Sequence, residues 1–158
     1  MYEDVDFLQQ SSQYYFIDYI PYDTNDPSFL ELEEYFENTY IGLFAEKISR
    51  ILLKIMYYKS CQVYLTRPEN PTADYEYDKD IRSYPPQKMD SVIKKVIIDD
   101  FASLQVMLDS PRVLISVCGG FSVTIYGLKK EMDLFKVCNQ LAIQEGLFLK
   151  YGTDSNTK

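Results

Sequence analysis

The chain has 158 residues, 46% of them hydrophobic, 25% charged and 15% aromatic, and 16 Lys plus Arg against 24 Asp plus Glu leave a net charge of -8. It is too apolar for a disordered tail, and six Gly with seven Pro exclude a low-complexity or collagenous chain. With no histidine, there is no Ser-His-Asp or Cys-His nucleophile and no imidazole metal site.

Met1 to Asp6 is acidic and lacks a basic stretch followed by an apolar one, so neither a secretory signal nor a transit peptide is expected. Tyr14 to Ile20 alternates as a strand does, and Asp23-Thr24-Asn25-Asp26-Pro27 reads as a turn. Ser28 followed by Glu31 matches a capping box. It opens a helix predicted over 28–59, with Leu32, Tyr35, Phe36, Leu43, Phe44, Ile48, Ile51, Leu52 and Ile55 as one apolar stripe, and the sequence leaves open whether it runs unbroken through Gly42.

Cys61 to Thr66 alternates again and predicts a strand. Arg67 to Lys88 holds four prolines and the acids Asp74, Glu76, Asp78 and Asp80, a long loop of the functional or mobile kind. Asp90 is placed as the cap of a second helix, whose stripe runs from Val92 through Ile93, Val96, Ile97, Phe101 and Leu104 to Leu108 before Asp109-Ser110-Pro111 ends it. Val113 to Cys118 and Phe121 to Tyr126, joined by Gly119-Gly120, predict a hairpin with a two-residue primed turn. A third helix is expected from about Lys129 to Glu145, closed by Gly146. Leu147 to Tyr151 is the last strand. The fold class expected is α+β: one domain over 1–152, a mixed or mostly antiparallel sheet with a 112–126 hairpin against about three helices, and a flexible 153–158 tail.

Few segments carry recognisable chemistry. Asp74 to Asp80 spaces oxygen ligands as a calcium loop does, but Lys79 stands where the turn needs Gly and Pro85 where the bidentate Glu belongs. Gly119-Gly120 lacks the Lys-Ser/Thr of a phosphate loop, and Ser122 has no histidine to activate it. Asp99-Asp100 and Glu33-Glu34 are adjacent on predicted helices, so each pair diverges by about 100°. Cys61, Cys118 and Cys138 form no C-x-x-C pair and read as reduced packing thiols. Lys94-Lys95 and Lys129-Lys130 are dispersed pairs on an acidic chain, so no nucleic acid is expected, and no apolar run approaches the ~18 residues of a membrane span. No cofactor and no metal are expected, and the expected location is cytoplasmic.

Charge is unevenly placed. Residues 1–46 hold eleven acids (Glu3, Asp4, Asp6, Asp18, Asp23, Asp26, Glu31, Glu33, Glu34, Glu37 and Glu46) and no Lys or Arg, with seven of the fifteen tyrosines. Tyrosine gives large contact area with few rotatable bonds, and surrounding carboxylates steer a basic partner. The expected contact residues are Tyr14, Tyr19, Tyr22, Asp23, Asp26, Glu31, Glu33, Glu34 and Glu37, with Tyr75, Glu76, Tyr77 and Asp78 from the loop. In size and composition, without a shared motif, the chain is similar to small acidic bacterial immunity proteins. The leading expectation is therefore a non-enzymatic protein that binds a basic partner, as an immunity or inhibitor protein would. Two others stand beside it: a small enzyme or ligand-binding domain with a pocket near Ser122, Thr124, Tyr126 and Tyr64, and a homo-oligomeric structural protein.

Overall fold

A computed structural model of the protein describes residues 2–153. Within them the order is α1 (Tyr2–Gln9), β1 (Gln13–Asp18), α2 (Phe29–Thr39), α3 (Ile41–Tyr58), β2 (Cys61–Leu65), α4 (Pro86–Asp99), β3 (Leu104–Asp109), β4 (Arg112–Val117), β5 (Val123–Tyr126), α5 (Asp133–Gln144) and β6 (Phe148–Thr153). The six strands form one antiparallel sheet in the order β2-β3-β4-β5-β1-β6. The class is α+β. Among the described residues no helix is long and apolar enough to cross a membrane.

Strand alternation sends Tyr15, Ile17, Val63, Leu65, Val106, Ile115 and Ile125 to one face. There they meet Phe44, Ile48, Ile51, Leu52 and Ile55 of α3, Val92, Ile93, Val96 and Ile97 of α4, and Leu134 and Cys138 of α5. Cys61 and Cys138 are buried free thiols, and burial pushes that of Cys138 up to about 12, so it stays protonated. On the opposite face α1 sets Val5 against Tyr64, Met107 and Leu114. Eight residues show too little of a 3.6-residue period to announce that helix in the sequence.

The structure departs from the sequence reading at several points. The long helix is not continuous, and it divides at Tyr40 ahead of Gly42: Tyr40 has φ -117° and ψ -20°, and its N–H donates to the Phe36 carbonyl (2.8 Å). Its ring packs against Phe36 (5.3 Å), Tyr19 (6.1 Å) and Phe121 (6.3 Å), whereas Gly42 has open space beside it. Ser28 caps nothing. Asp26 orders the turn before the helix instead: its Oδ1 accepts from the Ser28 N–H (2.9 Å) and hydroxyl (2.8 Å), and its carbonyl from the Phe29 N–H (3.0 Å). Those two Ser28 bonds, backbone first, hold the Asp26 carboxyl below the usual range.

The predicted 90–108 helix is two elements. α4 ends at Asp99, Asp100 turns left-handed at φ 51°, and 104–109 form a central strand. Leu104 and Leu108 fit a spacing of four as well as an alternation of two, and pairing with β2 and β4 selects the second. Asp109-Ser110-Pro111 is therefore a hairpin turn, with Asp109 opposite Arg112. Asp90 caps nothing; it lies within α4, where it accepts the Ser49 hydroxyl of α3. The β4–β5 hairpin exists, but its ladder closes at Val117 opposite Val123, the Cys118 N–H donates to the Ser122 carbonyl (3.0 Å), and of the two glycines only Gly120 is left-handed (φ 75°). Gly119 is needed for close approach, because a Cβ there would run into the Asp100 side chain. α5 starts at Asp133, four residues late, and Gly146 ends it left-handed (φ 70°). Gly152 and Thr153 belong to β6; the rest of the expected tail, 154–158, lies outside the described residues.

Candidate binding surface

β1 ends at Asp18 beside the β4–β5 turn, and Tyr19 turns its ring into a cluster of aromatic side chains. Phe121 (4.8 Å), Phe36 (5.3 Å), Tyr40 (6.1 Å) and Phe29 (6.3 Å) surround it, and Phe44 joins Phe121 (5.0 Å) to the main core. Phe29, Phe36 and Tyr40 recur at seven and four, which defines the inward side of α2. That helix has no buried residue. Apart from the backbone at its two ends, its contacts with the body are made by these rings.

The rest of α2 faces solvent. Leu30 is 68% and Tyr35 61% exposed, Leu32 is exposed as well, and all three stand among Glu31, Glu34 and Glu37. The sequence reading put Leu32, Tyr35 and Leu43 in the buried stripe, and the structure corrects this. Phe29 and Phe36 take the inward side of α2 and leave Leu32 and Tyr35 outside, and Leu43 lies on the solvent side of α3 with Arg50 and Lys54. Among the described residues no Lys or Arg lies within ion-pair distance of Glu31, Glu33, Glu34 or Glu37.

The other acids of the first third are placed differently. Asp4 on α1 pairs with Arg112 (2.9 Å), and Asp18 and Asp23 both pair with Lys150 (2.9 Å each), whose ammonium also donates to the Tyr22 carbonyl. Asp23 and Asp26 are exposed in the loop before α2, as is the Tyr22 ring. Tyr14 lies on the outer sheet face, half-buried against Phe16 (6.3 Å) and Tyr126 (6.1 Å).

The loop candidates are not brought to this surface. They border β2, four strand spacings from β1, roughly 19 Å at ~4.8 Å each. Tyr77 is a core residue 6% exposed, a correction to its reading as a partner anchor, because the loop bridges to Leu65 and carries the ring inward. Tyr75 stacks on Phe101 (4.2 Å), and Asp78, at φ 60°, accepts from Arg67 (3.3 Å). Glu76 alone of the four is fully exposed.

A depression of about 220 Å³ on the outer face is lined by Tyr14, Phe16, Phe121, Ser122, Val123 and Thr124. Tyr64 is no part of it, being buried under α1. Two larger clefts border residues 127–132: one of about 580 Å³ against α1, with Phe7, Arg112, Lys129 and Met132, and one of about 340 Å³ against the start of β1 and the end of β6, with Tyr15, Lys130 and Tyr151.

Comparison with protein-family models, curated proteins and solved structures returns no match. The surface speaks for itself alone.

Burial, with the carboxylates of Glu33, Asp18 and Glu37 nearby, pushes the Tyr19 hydroxyl up to about 12. The folded state thus holds this proton more tightly than the unfolded chain, where the value is 10.0. Its contribution to stability is complete below pH 10 and is lost as pH rises through 12. In an absorbance titration of the phenols, Tyr19→Phe should lack one late-titrating group and show a shallower alkaline loss of stability. Identical titrations for the two proteins would refute this placement of the ring.

Proposed function

We propose that the protein is a non-enzymatic binding protein that captures a basic protein partner on α2, as an inhibitor or immunity protein does. The observation that carries the reading is a helix without a buried residue, on which Leu30 and Tyr35 stand exposed among glutamates that no neighbouring base neutralises. Carboxylates of this kind steer a cationic surface and raise its association rate, while the leucine and tyrosine supply apolar area to desolvate on contact. Tyr22 and Asp26 border the same patch in the loop before the helix, whereas Asp23 beside them is paired with Lys150. The immunity-protein likeness rests on size and composition, and the partner class follows from charge.

The test is capture by the immobilised protein across a salt series, beside a variant carrying Glu31→Lys, Glu33→Lys, Glu34→Lys and Glu37→Lys. Surface charges are screened over about 8 Å at physiological ionic strength. The captured protein should be basic, should weaken as salt rises, and should bind the variant on the order of tenfold more weakly or worse. Capture indifferent to both salt and charge reversal, with the variant's melting curve intact, would remove α2 from the function.

A further inference from the structure

The two edges of the sheet are treated differently. Beside β2 the 77–81 segment lies along the strand: the Asp78 N–H donates to the Leu65 carbonyl (2.9 Å), the Ile81 N–H to the Val63 carbonyl (2.6 Å), and the Asp80 carboxylate accepts from the Val63 N–H (3.0 Å). That edge is closed. β6 at the other side has no such cover, and among the described residues no hydrogen bond outside the β1 ladder reaches its backbone.

Exposed edges are ordinarily guarded by proline, a bulge, shortness or an outward lysine. β6 has none of these. It matches β1 over six consecutive pairs, from Gln13 opposite Thr153 to Asp18 opposite Phe148. Its one charge, Lys150, is drawn onto the outer face by Asp18 and Asp23 and is 12% exposed, so it does not guard the edge. On the helix-facing side, Phe135, Tyr15 and Tyr151 form a row of edge-to-face rings at 5.2 and 5.3 Å. Tyr151 ends that row half exposed, at 50%.

We propose that β6 pairs antiparallel with β6 of a second copy of this chain, about a two-fold axis at Tyr151. Directly opposed residues of an antiparallel pair share a face, so a symmetric pairing is centred on a residue, not between two. Centring on Tyr151 opposes it to its own copy, Leu149 to Thr153 and Lys150 to Gly152. The aromatic row then continues across the axis, and each lysine faces a glycine. Centring on Lys150 opposes two like charges, which is unfavourable. This self-complementarity selects a second copy over an unrelated strand, and the proposal does not depend on the role of α2.

Two measurements on the full chain test it. Opposed Cβ atoms in such a pair lie about 4.5–5.5 Å apart, so Tyr151→Cys should cross-link to a covalent dimer under mild oxidation. Thr153→Cys, opposite Leu149, and the unsubstituted chain with its native thiols should cross-link far more slowly. By sedimentation equilibrium over the micromolar range, the unsubstituted chain should dimerise, and Tyr151→Lys should weaken dimerisation on the order of tenfold. A chain that stays monomeric throughout, or Tyr151→Cys cross-linking no faster than Thr153→Cys, overturns the proposal. The cysteine comparison decides the matter even if Tyr151→Lys folds poorly.

Discussion

Phe44→Ala is expected to lower the free energy of unfolding by roughly 3–5 kcal/mol, the range for truncating a buried phenylalanine. Phe44 is 0% exposed, on the turn of α3 that follows the Tyr40 break. Its ring meets Phe121 at 5.0 Å and Tyr40 at 6.4 Å, so it belongs both to the main core and to the cluster that holds α2. Truncation leaves a cavity where the two meet. The consequence is therefore global and local at once: denaturant unfolding shifts to lower concentration, and amide exchange over 29–39 accelerates beyond what the global loss explains. A loss under about 1 kcal/mol, below that range, with α2 protection unchanged, would mean that Phe44 does not link the helix to the core.

Asp90→Ala is the second large effect, at roughly 1–3 kcal/mol, because it leaves the fully buried Ser49 hydroxyl without its acceptor. The pair joins α3 to α4, and Lys94 completes it at 3.0 Å. Burial alone would raise the Asp90 carboxyl, but the hydrogen bonds from Ser49 and Lys94 and the charges of Lys94 and Arg50 hold it below its ordinary 3.8. A depressed folded value means stability that is present above 3.8 and lost as pH falls through the lower folded value. The unsubstituted protein should thus show the steeper acid limb in chemical denaturation. Ser49→Ala combined with Asp90→Ala should recover part of the loss, since removing both partners leaves no orphaned group. No recovery, together with an unchanged acid limb, would argue that the pair contributes nothing.

The two positions differ in how far the sequence discloses them. Phe44 was placed in the apolar stripe from its spacing alone, because α3 buries one side against a sheet and repeats the necessary period. Asp90 reads as a cap in the sequence, since a carboxylate before an apolar run has the same appearance whether it ends a helix or reaches across to a neighbour. Pro85 and Pro86 mark the true start of α4, and reading them only as loop residues concealed it. For the candidate surface, the eleven acids without a base could be counted directly, but their grouping could not. Asp18 and Asp23 are neutralised by Lys150, more than a hundred residues away in the chain, and Tyr77 is drawn into the core by the edge of β2.

What the amino-acid order determined alone is whatever depends on neighbours along the chain: the apolar stripes of α3 and α4, the β4–β5 hairpin, the stop at Gly146, and the concentration of negative charge ahead of Lys47. Pairing between distant segments decided the remainder. Leu104 to Asp109 became a strand because β2 and β4 offer hydrogen bonds on both sides, and α1 became a helix seated on the sheet because Tyr64, Met107 and Leu114 form an apolar floor for Val5. Tyr40 broke the long helix because its ring gains partners from β1 and the β4–β5 turn. In each case a local preference worth a few tenths of a kcal/mol per residue yielded to burial worth about 1.5–3 kcal/mol per side chain, and such burial exists only once remote parts of the chain have met.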